Sequence, residues 1–348
     1  MIPTQSVPEV LGRARALVTP ALRHAIGVLS PELRPIAEYH LGWRDAQGEP
    51  VGGDGGKGVR PALAVLSAEA VGAPGAVGVP GAVAVELVHN FSLIHDDVID
   101  GDVERRHRPT VWALFGIGRA VIVGDALIAL AQQVVLEPHR VLGTPGDAIA
   151  DGGRAARCVA DATAAMIAGQ ALDMAFESVP TVDVAGCLAM EAGKTGALLG
   201  CAAAIGAVLA GASDATVAAL DRYGVELGLA FQAVDDLLGI WGDPARTGKP
   251  AASDLRQRKK SLPVVAALAA PGDRAEELAA LLAAPELDEG AIAHAALLVE
   301  QCGGRAAAAD EATRRLDGAL GALEGVGLEP GAHDELVELA RFVVEREF

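Results

Sequence analysis

The segment ELVHNFSLIHDDVIDGD, residues 86–102, decides the fold because its residues recur with the period of an α-helix. Its apolar positions follow one another at steps of four, three and four, and they are Leu87, Phe91, Ile94 and Val98. A polar stripe with steps of three, four and four consists of His89, Ser92, Asp96 and Asp100. This spacing predicts an amphipathic helix on which Asp96 and Asp100 lie one turn apart, roughly 6 Å along the axis. Asp97 lies beside the stripe, turned by about 100°.

A second acidic pair, Asp235 and Asp236, lies in the apolar segment FQAVDDLLG, residues 231–239. Burying several carboxylates costs free energy, since each loses its hydration and repels its neighbours. Carboxylate oxygens suit magnesium, whose usual role in proteins is to carry the phosphates of a substrate. The two clusters therefore predict metal ions that bind a diphosphate or triphosphate. For either cluster taken alone, an acidic surface patch is the competing interpretation.

Helical periodicity extends over nearly the whole chain, and alanine and leucine fill most of the apolar positions. Hydrophobic residues make up 51% of the 348 residues, enough for a substantial core, and no β-rich stretch or fixed-period repeat is present. We therefore predict an all-α fold. Residues 137–153 are the best candidate for a domain linker. We nevertheless interpret residues 1–348 as a single domain, because the two acidic clusters need each other to form one metal site.

The formal net charge of −18 argues against nucleic acid and against an anionic membrane surface as partners. A phosphate site in so acidic a chain requires local cations. Basic residues do concentrate near the acidic clusters: Lys57, Arg60, Arg105, Arg106, Lys249, Arg256, Arg258, Lys259 and Lys260. Some of the last four are expected to be an ordinary solvated run. Lys194 lies inside the apolar run 187–209, where a buried lysine needs an anion, and a snorkelling side chain is the alternative.

Residues 1–30 mix charges and prolines through their apolar positions and do not form the core of a signal peptide. No run of eighteen or more uncharged apolar residues occurs, so we expect no membrane span and a cytoplasmic location. The four cysteines are widely spaced and include no C-x-x-C pair, which predicts reduced thiols rather than a disulfide framework or a zinc site.

Nine motifs occur along the chain in a specific order. They are GGKGVRP (55–61), ELVHNFSLIHDDVIDGD (86–102), RRHRPTVW (105–112), GDAL (124–127), GQALD (169–173), KTG (194–196), FQAVDD (231–236), GKP (248–250) and DLRQRKKSLP (254–263). The set resembles the polyprenyl synthetase family, the trans-isoprenyl diphosphate synthases, over most of the chain. Each motif is weakly specific by itself, whereas the ordered set is highly specific.

The resemblance implies an all-α, isoprenoid synthase-type helical bundle around a central cavity, usually as a homodimer. It implies a prenyltransferase that condenses isopentenyl diphosphate with an allylic diphosphate bound through three magnesium ions. The implied metal ligands are Asp96, Asp100 and Asp235, with Asp97 and Asp236 in support.

The remaining implied roles concern the substrates. The contacts of the allylic diphosphate are Arg105, Lys194, Lys249 and Lys259. Those of isopentenyl diphosphate are Lys57, Arg60, His89 and Arg106. Thr195 and Gln232 correspond to catalytic groups that steady the developing carbocation beside Lys194. Gln170 and Asp173 correspond to positions on the cavity wall.

Product length is set in this family by the residues below the first aspartate motif. Phe91 lies five residues before Asp96, about 7–8 Å lower on the helix, and Ser92 is small. The D-D-x-x-D run carries no insertion. By resemblance, this combination implies a geranylgeranyl diphosphate synthase, with farnesyl and somewhat longer products left open.

One residue departs from the family pattern, because Gly239 stands where the second motif usually has a third aspartate. Asp243, one turn further on, is a candidate substitute, or Asp235 and Asp236 suffice. Two other functions share part of the pattern. A class I terpene cyclase would carry an N-D-x-x-S-x-x-x-E-like motif, which we do not find. A catalytically impaired regulatory subunit of a prenyl synthase is favoured only by Gly239 and is opposed by the intact set of cations.

Overall fold

α-Helices account for nearly all regular secondary structure in the computed structural model, which describes residues 8–52, 58–143, 151–243 and 252–344. Alanine and leucine are strong helix formers, which explains why so many segments adopt this conformation. The helices before residue 150 are α1 (Glu9–Gly27), α2 (Arg34–His40), α3 (Val59–Glu69), α4 (Val79–Ile99), α5 (Val111–Phe115), α6 (Ile117–Leu136) and α7 (Pro138–Leu142). A 3-10 turn, Gly75–Gly78, leads into α4.

The helices after residue 150 include the two longest of the described chain. They are α8 (Gly152–Ser178), α9 (Val184–Glu191), α10 (Ala197–Leu209), α11 (Asp214–Trp241), α12 (Ser253–Arg256), α13 (Leu262–Leu268), α14 (Asp273–Leu282), α15 (Glu289–Gln301), α16 (Gly304–Ala322) and α17 (Pro330–Val344). One π-helical turn, Ala192–Gly196, joins α9 to α10. The all-α prediction is confirmed.

A small antiparallel hairpin, β1 (Glu104–Arg105) and β2 (Arg108–Pro109), is the one pair of strands in the described residues. Its two-residue turn has both residues in the left-handed region, Arg106 at φ 53° and His107 at φ 59°. Such turns match the twist of a hairpin but usually contain glycine or asparagine. The sequence analysis did not predict this hairpin, because the turn lacks those residues.

The chain divides into two compact units. The first consists of Met1–Thr163, Cys201–Asp221 and Leu323–Leu339. Within it, α4 packs most extensively against α6, and α3 packs against α1 and α4. Its fully buried side chains include Leu63, Leu66, Leu87, Ile94 and Leu127. Cys158 and Cys201 are free thiols whose sulfur atoms lie 3.3 Å apart.

The second unit consists of Ala164–Gly200, Arg222–Ala322 and Ala340–Phe348. Its core is an aliphatic cluster that includes Leu255, Leu278, Leu298 and Val299. Helix α13 packs against α16, and α14 packs against α15. The interpretation of the chain as a single domain stays a prediction.

Three helical segments are long and apolar enough to cross a membrane by length and composition: Gly75–Ile99, Ile117–Leu136 and Val184–Leu209. In the first and third, 72% and 78% of the most apolar window is buried inside the protein, as in core helices. The share is 44% in α6, whose outer face is apolar. The sequence analysis searched only for uncharged apolar runs, and these three segments contain charged residues. The absence of a membrane span therefore stays a prediction.

Candidate active site

The first aspartate motif lies at the C-terminal end of α4, in the first unit. Asp97 is the most buried of the three carboxylates at 1% exposure, whereas Asp96 is half-buried and Asp100 is exposed. The Arg105 Nε atom donates a hydrogen bond to Asp97 Oδ1 at 2.7 Å. Burial raises the pKa of Asp97, and the Arg105 guanidinium opposes that increase. Asp97 Oδ2 is buried without a hydrogen-bond partner.

The β-hairpin brings arginines to a cavity of about 400 Å³ beside this motif. Its polar lining includes His40, Asp97, Arg105, Arg106 and Arg108. The Arg108 guanidinium lies 4.3 Å from the centre of the Tyr39 ring and donates a hydrogen bond to the Arg44 carbonyl at 2.6 Å. The Tyr39 hydroxyl donates to the Pro109 carbonyl at 2.7 Å. Strand β2 is therefore tied to the α2 region, and β1, which carries Arg105, pairs with β2.

His89 lies on the same helix as the aspartates, about two to three turns earlier, in a positive environment. Burial lowers its pKa well below the ordinary value, and the charges of Arg60 and Arg106 lower it further. His89 is therefore neutral at neutral pH. Glu86 lies one turn before it, where burial raises its pKa and Arg60 opposes the increase. Of the predicted contacts of isopentenyl diphosphate, the structure thus groups Arg60, His89 and Arg106, while Lys57 lies outside the described residues.

A second cavity, of about 110 Å³, lies in the second unit. Seven of the residues predicted from sequence line it: Asp173, Lys194, Thr195, Gln232, Asp235, Asp236 and Lys259. Five further residues complete its lining: Met190, Glu191, Asp254, Lys260 and Ser261. Gln170 lies on α8 one turn before Asp173 and is half-buried, with its Oε1 atom unpartnered.

Lys194 and Thr195 occupy the π-helical turn between α9 and α10, a local geometry that is frequent at functional sites. Lys194 Nζ forms an ion pair with Asp173 Oδ2 at 2.5 Å. Asp173 is thus an anion of the kind that the sequence analysis required for this lysine. The Thr195 hydroxyl donates to Gln232 Oε1 at 2.9 Å, and Gln232 Nε2 donates to Asp236 Oδ1 at 2.8 Å.

Asp236 is buried and is held by both of its oxygens, because the Leu262 amide donates to Oδ2 at 2.8 Å. Next to it lies Glu191, which is 2% exposed and which the sequence analysis missed. Burial raises the pKa of both carboxyl groups, and the charge of Asp236 raises that of Glu191 further. Glu191 Oε2 has no hydrogen-bond partner. The sequence did contain a signal for Glu191. It lies three residues before Lys194, and residues at that spacing lie on the same face of a helix.

The residues of the basic run after the second motif differ in their contacts. Arg256 pairs with Glu289 at 2.5 Å, and Arg258 donates to the Pro285 carbonyl at 3.0 Å. Lys260 Nζ donates to the carbonyl groups of Phe176 and Val179 at the end of α8. Lys259 lines the second cavity, and its contact with the allylic diphosphate stays a prediction. Lys249 lies outside the described residues.

Gly239 provides space for another carboxylate. An ideal Cβ atom at this position would lie 2.2 Å from Asp254 Oδ2 and 2.5 Å from its Cγ. Asp254 is 8% exposed and lines the same cavity as Asp235 and Asp236. Asp243, the substitute suggested by the sequence, is exposed and does not line this cavity. The carboxylate beside the second motif therefore comes from α12.

The donor set fits magnesium. Within the described ranges, no three His, Cys, Asp or Glu side chains form a preassembled metal cluster. Magnesium does not need one, since it typically binds one or two carboxylates together with water and substrate phosphates. Buried oxygens without hydrogen-bond partners lie at both groups of carboxylates. They are Asp97 Oδ2, Glu191 Oε2 and Ser261 Oγ. Buried polar atoms are normally hydrogen-bonded, so these positions are suited to an ion with its water shell.

Several known proteins resemble this chain over almost its whole length. The polyprenyl synthetase family profile matches residues 49–299. The chain is 46% identical to a (2E,6E)-farnesyl diphosphate synthase of Mycobacterium tuberculosis, over 99% of this chain and 94% of that protein. It is 44% identical to a geranylgeranyl diphosphate synthase of the same species, over 98% and 96%. A crystal structure of a polyprenyl synthetase from Streptomyces coelicolor superposes with a TM-score of 0.90 at 55% identity, covering 97% of this chain and 99% of that one.

We expect the substitution His40→Asn to make protein stability less sensitive to acid. The pKa of His40 is lowered from 6.5 to about 3, first by burial and then by Arg105 and Arg106. Between these two values the unfolded chain binds more protons at this position than the folded chain, so stability falls as pH decreases through that window.

Thermal unfolding at about pH 7 and about pH 4.5 tests this expectation. The H40N variant should lose less Tm over the interval than the wild type. The exposed His139→Asn variant is the control and should behave as the wild type. Equal losses in H40N and the wild type would contradict the prediction.

Proposed function

The chain belongs to the polyprenyl synthetase family and is a trans-isoprenyl diphosphate synthase, a prenyltransferase; we propose that it joins isopentenyl diphosphate to an allylic diphosphate by magnesium-assisted ionisation, with geranylgeranyl diphosphate as product. The observation that carries the proposal is the second cavity, where carboxylates and lysines surround the hydrogen-bonded Thr195 and Gln232. Such a cavity combines groups for a diphosphate with neutral oxygens for a developing cation.

Isopentenyl diphosphate is assigned to the first unit, where Arg60, Arg106 and neutral His89 supply donors for its phosphate oxygens. Charged guanidinium groups bind phosphates strongly because each offers several N–H donors in a fixed plane. A neutral imidazole donates one hydrogen bond without adding a third positive charge to the cluster. Lys57 completes the proposed set. The net charge of −18 makes such local cations necessary.

The allylic diphosphate is assigned to Lys194, Lys249, Lys259 and Arg105. A cation close to the leaving oxygen stabilises the charge that develops there as the carbon–oxygen bond breaks. The hydroxyl of Thr195 donates to Gln232, so its lone pairs are available to the allylic cation. Gln232 is oriented in turn by Asp236. The proton lost after condensation goes to the released diphosphate. The mechanism therefore needs no protein base.

Magnesium is assigned to Asp96, Asp100 and Asp235, with Asp97 and Asp236 in support. When bound, the ions neutralise the diphosphate so that it becomes a good leaving group. Asp254 is our candidate for the third carboxylate of the second motif, in place of Gly239. Its support is the position of its carboxylate, within 2.2 Å of where a side chain at 239 would begin.

The proposed product is geranylgeranyl diphosphate, because Phe91 is the single aromatic residue below the first motif and Ser92 leaves room beside it. Phe91 is 7% exposed, within the core. Farnesyl diphosphate is the second candidate. It is favoured by the relative named a farnesyl diphosphate synthase, at 46% identity against 44% for the geranylgeranyl relative.

A homodimer in the cytoplasm completes the proposal. Support for the homodimer comes from exposed apolar side chains on two helices of the described chain. They are Ile117, Val121 and Ile122 on α6, and Ile167, Leu172 and Met174 on α8. Exposed apolar surface of this kind typically marks an interface.

The proposed function is tested by incubating purified protein with magnesium, isopentenyl diphosphate and dimethylallyl, geranyl or farnesyl diphosphate in turn. A synthase elongates at least one primer. A terpene cyclase would release hydrocarbon from a primer alone, and a regulatory subunit would do nothing by itself.

The Asp96→Ala variant should lose turnover by at least about a hundredfold with unchanged Tm, because ionisation loses its charge stabilisation. Asp310→Ala, on the exposed face of α16, is the control. Near-normal turnover in D96A would contradict the metal assignment.

We expect Asp254→Asn to increase the magnesium concentration needed for half-maximal activity by about 10–100-fold, the usual cost of losing a supporting carboxylate. Asp243→Asn is the matched control, since it removes the exposed aspartate that the sequence suggested as a substitute. A magnesium titration of initial rates measures both. If D243N shifted the titration and D254N did not, the role of Asp254 would be excluded.

Phe91→Ala should lengthen the product, because removing the ring opens the space below the first motif. Chromatography of the dephosphorylated products measures chain length. Products of unchanged length would show that the block to elongation lies at another position.

A further inference from the structure

We propose that His95 is a positioning residue for product length: its imidazole, wedged between α4 and α6, holds the Phe91 ring in place. This inference rests on the proposed function, in which Phe91 limits elongation. Nothing in the motif comparison assigned a role to His95, which directly precedes Asp96 and is half-buried. Two contacts of the imidazole and the space at Gly124 support the inference.

The first contact is between the two rings. His95 and Phe91 are one turn apart on α4, and their ring centres are separated by 4.9 Å at an interplanar angle of 74°. This edge-to-face arrangement is one of the two that aromatic rings prefer. The imidazole thus covers one side of the phenyl ring and restricts its rotation.

The second contact anchors the imidazole to the neighbouring helix. His95 Nε2 lies 3.1 Å from the carbonyl oxygen of Val121 on α6. A carbonyl can only accept, so Nε2 carries the hydrogen and the tautomer of the ring is determined by this bond. The imidazole is therefore held from both helices, by its own backbone on α4 and by Val121 on α6.

The third observation is that α6 leaves space for the ring at Gly124. An ideal Cβ atom at Gly124 would lie 2.2 Å from His95 Nε2 and 2.5 Å from Cδ2, closer than van der Waals contact permits. Any larger residue at 124 must displace the imidazole. Gly124, in the GDAL motif, is thus coupled to Phe91 through His95.

These contacts have a consequence for elongation. With the imidazole in place, Phe91 cannot turn towards α6, and its ring stays below the first aspartate motif. Without it, a void beside Phe91 lets the ring swing away from the growing chain. Product length is then determined by residues 95 and 124 as well as by the phenyl ring itself.

The test compares products of wild type, His95→Ala, His95→Phe and Gly124→Ala, with Gly118→Ala as the matched control on α6, where an added Cβ meets nothing within 4 Å. H95A and G124A should raise the ratio of longer to wild-type products by at least about tenfold, as expected when a pocket boundary moves. H95F, which keeps a ring, and G118A should retain the wild-type ratio. The double variant F91A/H95A should give no longer products than F91A, since both remove the same block.

A merely structural role for His95 would lower Tm in H95A without changing the product ratio. An active H95A enzyme with the wild-type ratio overturns the proposal. If the wild type elongates no primer, the proposed function has failed independently. A crystal structure of H95A then tests whether the imidazole holds the Phe91 ring. A ring that keeps its wild-type rotamer also overturns the inference. A displaced ring supports it.

Discussion

Carboxylates buried on apolar helices are the constraint on which the rest of this structure depends. Desolvation of a charged group is costly unless hydrogen bonds or opposite charges offset it. Asp97 has Arg105 for this purpose, and Asp236 has Gln232 and the Leu262 amide. These partners occupy some acceptor sites and leave Asp97 Oδ2 unpartnered. The fold therefore stabilises Asp97 through one oxygen and leaves the other suited to an ion with its water.

Two glycines shape the packing around the acidic motifs because they lack side chains. Gly239 lets the carboxylate of Asp254 approach the backbone of α11, and Gly124 lets the imidazole of His95 enter between α4 and α6. In both cases a residue from a neighbouring element occupies the volume that a side chain would have filled. Because protein interiors are closely packed, one added methyl group at either glycine would displace the neighbouring side chain.

Much of the fold was predictable because helical periodicity is a local property. The polar stripe of α4 follows from spacing alone, and the structure contains that helix at Val79–Ile99. The hairpin around Arg106 and His107 was not predictable, because its left-handed turn lacks glycine and asparagine. It is stabilised by non-local contacts, including the Tyr39 hydroxyl with the Pro109 carbonyl. Such contacts leave no periodic trace in the sequence.

The sequence by itself determined the fold class and the family, because ordered motifs and a 3.6-residue period are properties of the chain. Only the tertiary structure decided how similar residues divide their roles. It showed Arg256 and Arg258 in contacts away from the second cavity, whereas Lys259 and Lys260 both line that cavity. It also showed that Asp254, not Asp243, lies beside Gly239. The physical reason is that residues on different helices meet only through packing, which linear spacing does not encode.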